Sequence, residues 1–293
     1  MALLLQVMQI VAPVFILAAI GVGWVALKWE YNVAFVTRLA MTLSVPCLIF
    51  TALMRSEIDP QALRDTALAA LVAYLAVAAI AYGLLRIGKF PTRTYLAPLT
   101  FGNTGNLGLP LALFAFGPQG LDFAVVVFAV MAILSFTVGV WIVSGGGSPV
   151  AAVKEPMVWA TVLGGMFLVN GWSLPVWATN TLDLTGQMAI PVMLITLGVA
   201  VARLHPGAFG KAVFMSLAKV VLCTIVAVVV GLQFNLPPVA LGVLVLQIAT
   251  PVAVTSYMLA EKYKADSDAV AGLVMASTLM SVAAIPITLA FLV

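Results

Sequence analysis

Two polar stretches interrupt an otherwise apolar chain. The first reads Phe101-Gly102-Asn103-Thr104-Gly105-Asn106-Leu107-Gly108-Leu109-Pro110, the second Gln247-Ile248-Ala249-Thr250-Pro251-Val252. Neither holds a carboxylate, a histidine or a cysteine, so bond-making chemistry has no obvious agent in them. Their chemistry is recognition by neutral amides, hydroxyls and exposed backbone. Glycines, asparagines and a proline so close together cannot continue a lipid-facing helix, and non-helical backbone at that depth is tolerated only against protein or a watery cavity. Thr250 followed by Pro251 reads as an N-cap with proline at the first helical position. Asn106 reads as the cap of a second half-helix, with Pro110 in its first turn, where a missing N–H costs least. Two helix starts aimed into one cavity favour an anion, most naturally a carboxylate. The candidate substrate-binding residues are therefore Asn103, Thr104, Gly105, Asn106, Gln247, Thr250, Pro251 and Val252, with Lys219 beside them. The competing reading is that the breaks only let two helices cross closely.

Lys219 is the one cation about twelve residues inside an apolar run, where an unpaired ammonium costs at least several kcal/mol. It either pairs with the substrate anion or exchanges its proton during a cycle; capping by carbonyls or snorkelling to the interface are the bland alternatives. Pro46 and Pro191 mark kinks in two further apolar runs, as does Pro110 in the first polar stretch, and such kinks can serve as hinges. The acidic residues Asp65, Asp122, Asp183 and Asp268 all fall at the ends of apolar runs, so no carboxylate proton carrier is evident. A Na+ site built from Gln247, Asn103, Asn106, hydroxyls and freed carbonyls stays open, as does coupling to H+. No cofactor is expected. The single histidine, His205, precludes a multi-histidine metal site, and Cys47 and Cys223 read as small core residues.

The elements that must position these residues follow from composition. Of 293 residues 64% are hydrophobic and 8% charged, against about 25% charged in ordinary soluble domains. Lipid must be the solvent for most of the chain, which excludes a soluble enzyme, a disordered adaptor and a disulfide module. Ten apolar runs, near 4–27, 33–54, 64–87, 94–116, 121–143, 156–174, 181–202, 208–231, 238–260 and 267–292, predict ten transmembrane helices. The first lacks a positive leader and reads as a retained span rather than a cleaved signal. Nine cations (Lys28, Arg86, Lys89, Arg93, Lys154, Arg203, Lys211, Lys262, Lys264) lie in the odd-numbered connections, against Arg55 and Arg64 in the even ones. The positive-inside rule then puts the odd connections in the cytoplasm and both termini outside, in the cell (inner) membrane. The net charge of +3 is thus an orientation signal, and nucleic acid has no place as a partner.

The chain also resembles itself. At a shift of 145 or 146 residues Pro46 meets Pro191, Pro60 meets Pro206, Pro91 meets Pro237, Thr104 meets Thr250, Asp122 meets Asp268 and Ser135 meets Ser281. Residues 1–143 and 156–293 read as two five-helix repeats joined by a Gly/Ser-bearing cytoplasmic linker at 144–155. Five is odd, so the second repeat enters the membrane inverted, as in many secondary transporters. The expected fold is an all-α polytopic membrane protein of ten helices in two inverted repeats, its fourth and ninth helices broken and crossing. A membrane-embedded enzyme lacks the required ligand clusters here, and a channel is the nearer rival.

Asn103-Thr104-Gly105-Asn106 leading to Leu107-Gly108-Leu109-Pro110, with Thr250-Pro251-Val252 and Ala260-Glu261-Lys262-Tyr263, resembles the auxin efflux carrier family over nearly the whole chain. The likeness is nearest to its bacterial malate or malonate permease-like members. It implies secondary transport of small organic anions, the fourth–ninth helix crossover, and elevator-type movement of a transport domain against a scaffold containing the second and seventh helices. It also implies a homodimer in contact with membrane lipid. The related bile-acid sodium symporters share this architecture and keep a sodium-coupled mechanism as the alternative, although their acidic sodium ligand has no match here. The long hydrophilic central loop of many plant auxin carriers is absent, since only Ser144 to Pro156 stands in its place.

Overall fold

The computed structural model describes residues 2–145, 156–204 and 209–292. The helices are α1 (Ala2–Ala26), α2 (Val33–Leu39), α3 (Val45–Met54), α4 (Pro60–Ile87), α5 (Thr92–Thr100), α6 (Leu109–Leu134), α7 (Val140–Ser144) and α8 (Pro156–Asn170) in the first part of the chain. They continue with α9 (Val176–Gln187), α10 (Ala189–Arg203), α11 (Phe209–Gln233), α12 (Pro238–Ile248), α13 (Val254–Lys262) and α14 (Ser267–Leu292). Short π-helical turns at Ala40–Ser44, Thr104–Gly108 and Ser135–Gly139 join α2 to α3, lead into α6, and join α6 to α7. Among the described residues the one β-type pairing is an isolated antiparallel bridge between Gly102 and Val252. His205 and most of the 144–155 linker lie outside the described residues.

Helix starts and stops follow local chemistry. Asn32 caps α2, its Oδ1 accepting from the Phe35 N–H at 3.0 Å. Asp59 caps α4 in the same way through the Gln61 N–H, with Pro60 pre-set at the first helical position. Pro46 stands at the start of α3, directly after the Ala40–Ser44 π turn, and Pro191 lies in the first turn of α10, just past the interruption at Met188. A proline has no N–H to give to the previous turn, so a locally widened or interrupted helix just before it is the expected accommodation. Gly117, at φ 68°, splits α6 into two helical pieces.

Among the described residues seven helical runs are long and apolar enough to cross a membrane: Val7–Ala26, Val33–Met54, Pro60–Ile87, Thr104–Ser144, Val176–Arg203, Gly210–Gln233 and Ser267–Phe291. Pro156–Asn170 and Pro238–Ile248 are shorter apolar helices. Large apolar side chains such as Phe35, Leu75, Trp177, Phe214 and Ile225 lie exposed. In water so many would mark aggregation-prone patches; against lipid they are simply the outer face.

The helices pack in two groups. In one, α1 lies along α10 and α3 lies between α8 and α9. The first of these contacts is very close: a Cβ at Gly21 would strike the Ile195 carbonyl and one at Gly198 the Ala18 carbonyl. In the other group α4, α5, α6, α11, α12 and α14 pack on one another. Small residues at helix–helix seams are what membrane packing requires, because lipid tails already satisfy large apolar side chains. The site lies along the boundary between the groups.

Candidate functional site

The helix α5 ends at Thr100, in the interior. Phe101 (φ −99°, ψ 120°) and Asn103 (φ −83°, ψ 54°) leave helical geometry, and the chain turns helical again at Thr104. On the other side α12 ends at Ile248, residues 250–253 are non-helical, and α13 begins at Val254 after the extended Ala253 (ψ 140°). The two breaks lie against each other. Gly102 bridges Val252, and the Asn103 N–H donates to the Pro251 carbonyl at 2.7 Å. The Val252 N–H donates to Ser277 Oγ at 3.0 Å. This approach needs glycine: a Cβ at Gly102 would collide with the Thr250 hydroxyl and lie 2.9 Å from its carbonyl oxygen. At Gly108 the same addition would meet the Gln247 amide. Buried backbone must find partners, and each break satisfies part of the other.

Two caps differ from expectation. Asn103, not Asn106, precedes the helix restart, so Asn106 sits inside the first turn. Thr250 is not an N-cap. Its hydroxyl donates backward to the Gln247 carbonyl at 2.6 Å, closing the end of α12, and the next helix starts four residues later. The crossing requires non-helical chain at 250–253, and a hydroxyl beside a spent helix end meets orphan carbonyls rather than orphan N–H groups. Pro110 falls at the start of α6, as its missing N–H demands.

Both helix restarts open onto one cavity of about 580 Å³. Asn103, Gly105 and Asn106 line it from one break, and Ala253, Val254, Thr255 and Ser256 from the other. The Asn103 carbonyl accepts the Leu107 and Gly108 N–H groups at 3.1 and 3.2 Å. The first-turn N–H groups of Thr104, Gly105 and Asn106 therefore have no intrahelical acceptor. The remaining wall is apolar, with Met41, Phe101, Phe128, Met131, Phe136 and Met157, relieved by Thr37 and Ser135. Glu261 and Lys262, both exposed, stand at one end.

The other proposed residues lie deeper. Thr104, Gln247, Thr250, Pro251 and Val252 are buried at the crossing and do not line this cavity. Three side-chain atoms at the crossing, Asn103 Nδ2, Thr104 Oγ1 and Gln247 Oε1, are buried without a hydrogen-bond partner. Unsatisfied groups of this kind are uncommon and concentrate where a ligand or water completes them. Lys219 is 1% exposed and lies behind the crossing rather than on the cavity wall; its Nζ donates to the Leu99 carbonyl at 3.1 Å. Pro46 and Pro191 are in the first packing group and do not line the cavity, although α10, which carries Pro191, packs against the Thr104–Gly108 turn. Sequence reasoning missed Thr255 and Ser256. Their signal was two successive hydroxyl residues just past Pro251. Ser135, matched only as a repeat position, also lines the cavity, whereas the apolar wall carried no signal distinguishable from ordinary core. No cluster of metal-ligating side chains occurs among the described residues.

Apolar helices in number, two of them broken against each other beside a cavity, define a multi-pass membrane transport protein. Comparison with known proteins agrees. The chain belongs to the membrane transport protein family, that of the auxin efflux carriers, matching it over residues 6–152 and 148–289. It is also 26% identical over 298 residues to an uncharacterized transporter of Methanothermobacter thermautotrophicus, an alignment covering 97% of this chain and 95% of that one.

Proposed function

We propose that the protein is a secondary carrier of small organic anions that binds a carboxylate at the crossing of the two broken helices. The observation that carries this reading is the pair of helix restarts, at Thr104 and Val254, opening onto one cavity. Free N–H groups and the positive ends of two helix dipoles attract an anion there. Asn103, Asn106, Thr255 and Ser256 supply neutral polar contacts, and the cavity volume suits a small ligand. Phe101, Phe128, Met131 and Met157 favour a substrate with one carboxylate and an apolar body. A second carboxylate would be desolvated against this wall, away from Lys262 at the end of the cavity, at a cost of several kcal/mol. The buried residues Thr104, Gln247 and Thr250 beyond the cavity favour a carrier over an open pore.

In this reading the chain crosses the membrane ten times, as two inverted repeats. The seven long runs, the two short apolar helices and the division of Thr104–Ser144 at Gly117 support that count. So does the recurrence of positive φ in order along the chain, at Lys28, Lys89 and Gly117 and then at Gly171, Asn235 and Lys264. The α1–α3 and α8–α10 group is the scaffold, and the group holding the crossing is the part that moves, in the manner of an elevator. The cavity mouth at Lys262 is on the side rich in cations, which makes it cytoplasmic and the conformation inward-open. Both termini are then outside, in the cell membrane, and a homodimer joined through the scaffold is the working assembly.

Uptake by purified protein in liposomes tests the reading. Carboxylates graded in size and charge are offered with Na+ and pH gradients imposed separately. Saturable flux with counterflow, stronger for apolar monocarboxylates than for dicarboxylates of equal length, is expected. Absence of carboxylate flux under every gradient refutes it.

A further inference from the structure

We propose that Lys219 is a fixed cation built into the rear of the crossing, which serves the C-terminus of α5 where a mobile inorganic cation would otherwise sit. The inference rests on the crossing being the anion site.

A helix that stops inside a membrane protein leaves its last carbonyls without N–H partners and its negative dipole end without solvent. At α5 the last turn is closed partly by the chain itself and, at Leu99, by Lys219. The Thr100 hydroxyl donates to the Leu96 carbonyl at 2.8 Å, the Phe101 N–H donates to Ala97 at 2.8 Å, and Lys219 Nζ donates to Leu99 at 3.1 Å. Cys223 Sγ, one turn along α11, lies 3.8 Å from Nζ and 3.9 Å from the same carbonyl. Among the described residues no carboxylate pairs with the ammonium: the ion pair there is Arg55–Asp183, which joins the end of α3 to α9. An ammonium buried this far is costly unless something negative holds it, and here the negative partner is a helix end. Freed carbonyls at broken helices are the groups with which transporters commonly bind Na+. The position of Nζ on Leu99 occupies that role with a covalently attached charge.

The arrangement is one-sided. Tyr74 stands 145 positions before Lys219, the offset that aligns the two halves. It too is buried, but its hydroxyl has no partner, and the end of α12 is closed by the neutral Thr250 hydroxyl. One half-helix end of the crossing is thus served by a charge and the other by dipoles. The fixed positive charge stays behind the anion site whatever the surrounding salt, and it offsets the substrate charge within the same packed group. Lys219 is accordingly a positioning residue, one that acts on substrate through α5 and the break at Phe101–Asn103.

Thermal unfolding and liposome uptake of the purified full chain, at equal ionic strength in NaCl, KCl or choline chloride, test this. Wild type is expected to melt and transport alike in all three salts. Lys219→Met, which keeps length and removes charge, is expected to melt lower and to raise the substrate KM by about tenfold in choline. Lys219→Ala, which leaves room at the Leu99 carbonyl, is expected to melt higher in NaCl than in choline. A wild type that requires Na+, a Lys219→Met indistinguishable from wild type in choline, or a folded Lys219→Ala insensitive to Na+ overturns the proposal. If neither variant folds, the wild-type salt series decides. The melting series needs no substrate, so its failure is separable from a failure of the anion-carrier reading.

Discussion

Replacing Gly102 by alanine perturbs the crossing at its closest point. The added methyl group would collide with the Thr250 hydroxyl and come within 2.9 Å of the Thr250 carbonyl oxygen and 3.2 Å of its Cβ. The hydroxyl can rotate, but the carbonyl belongs to the non-helical chain that bridges Gly102 through Val252 and accepts the Asn103 N–H through Pro251. The two breaks must therefore separate. Overpacking of this kind costs about 1–3 kcal/mol, and weakening the Asn103–Pro251 hydrogen bond adds about 1 kcal/mol. The sum, on the order of 2–4 kcal/mol, corresponds to a fall in melting midpoint of about 4–15 °C on the scale of globular chains of comparable size. Separation also moves the Thr104–Asn106 turn away from Ala253–Ser256, so uptake should fall at least about tenfold. Two controls frame the result. Gly23→Ala meets nothing within 4 Å and should be neutral or stabilising by up to about 1 kcal/mol through helix propensity. Gly108→Ala meets only the end of the flexible Gln247 side chain and should cost less than Gly102→Ala. The assays are thermal unfolding of purified protein and initial uptake rates in liposomes. A Gly102→Ala protein that melts and transports like Gly23→Ala would show that the two breaks do not cross as closely as described.

Three further outcomes follow from the same geometry. Asn106→Ala removes a half-buried amide from the cavity wall without touching the bridge; substrate KM should rise by about tenfold with the melting midpoint nearly unchanged, read from uptake and unfolding together. Arg93→Ala should lower the melting midpoint clearly, because its guanidinium donates to the Val143 carbonyl at 2.7 Å and the Tyr263 carbonyl at 2.5 Å and so ties the ends of α7 and α13 to α5; bonds to charged groups are worth about 1.5–3 kcal/mol each. Arg55→Ala should do little: the Arg55–Asp183 pair is close, at 2.5 Å, but the Arg55 side chain is 54% exposed. Solvent screening limits such a pair to about 1 kcal/mol or less, and an unfolding measurement that found a large loss would contradict that reasoning.

Much of this protein is written in one-dimensional order. Apolar runs and the scarcity of charge dictate helices and a lipid solvent, because an 18-residue stretch without charged side chains has few other stable environments. The helices α1, α4 and α14 lie where the runs near 4–27, 64–87 and 267–292 put them. Glycine and asparagine clusters at 102–108, and the polar run at 247–252, mark where helix cannot continue, since the required φ/ψ and hydrogen-bond losses are local properties. Those signals located the breaks but misplaced their caps. Whether Thr250 donates to a spent helix or caps a new one depends on which orphan groups surround it, and the antiparallel contact with Gly102 decides that.

What only the tertiary structure determined is which groups share a space. Asn106, Thr255 and Ser256 come from distant parts of the chain and meet on one wall because two glycine-permitted breaks pack together. Phe128, Met131 and Met157, ordinary apolar residues in sequence, become part of a cavity wall by the same packing. Lys219 shows the division most clearly. Its cost could be read from its depth in an apolar run, because burying a charge is a property of the residue and its solvent. Its partner could not, because the Leu99 carbonyl is 120 residues away and becomes available only where folding ends a helix beside it.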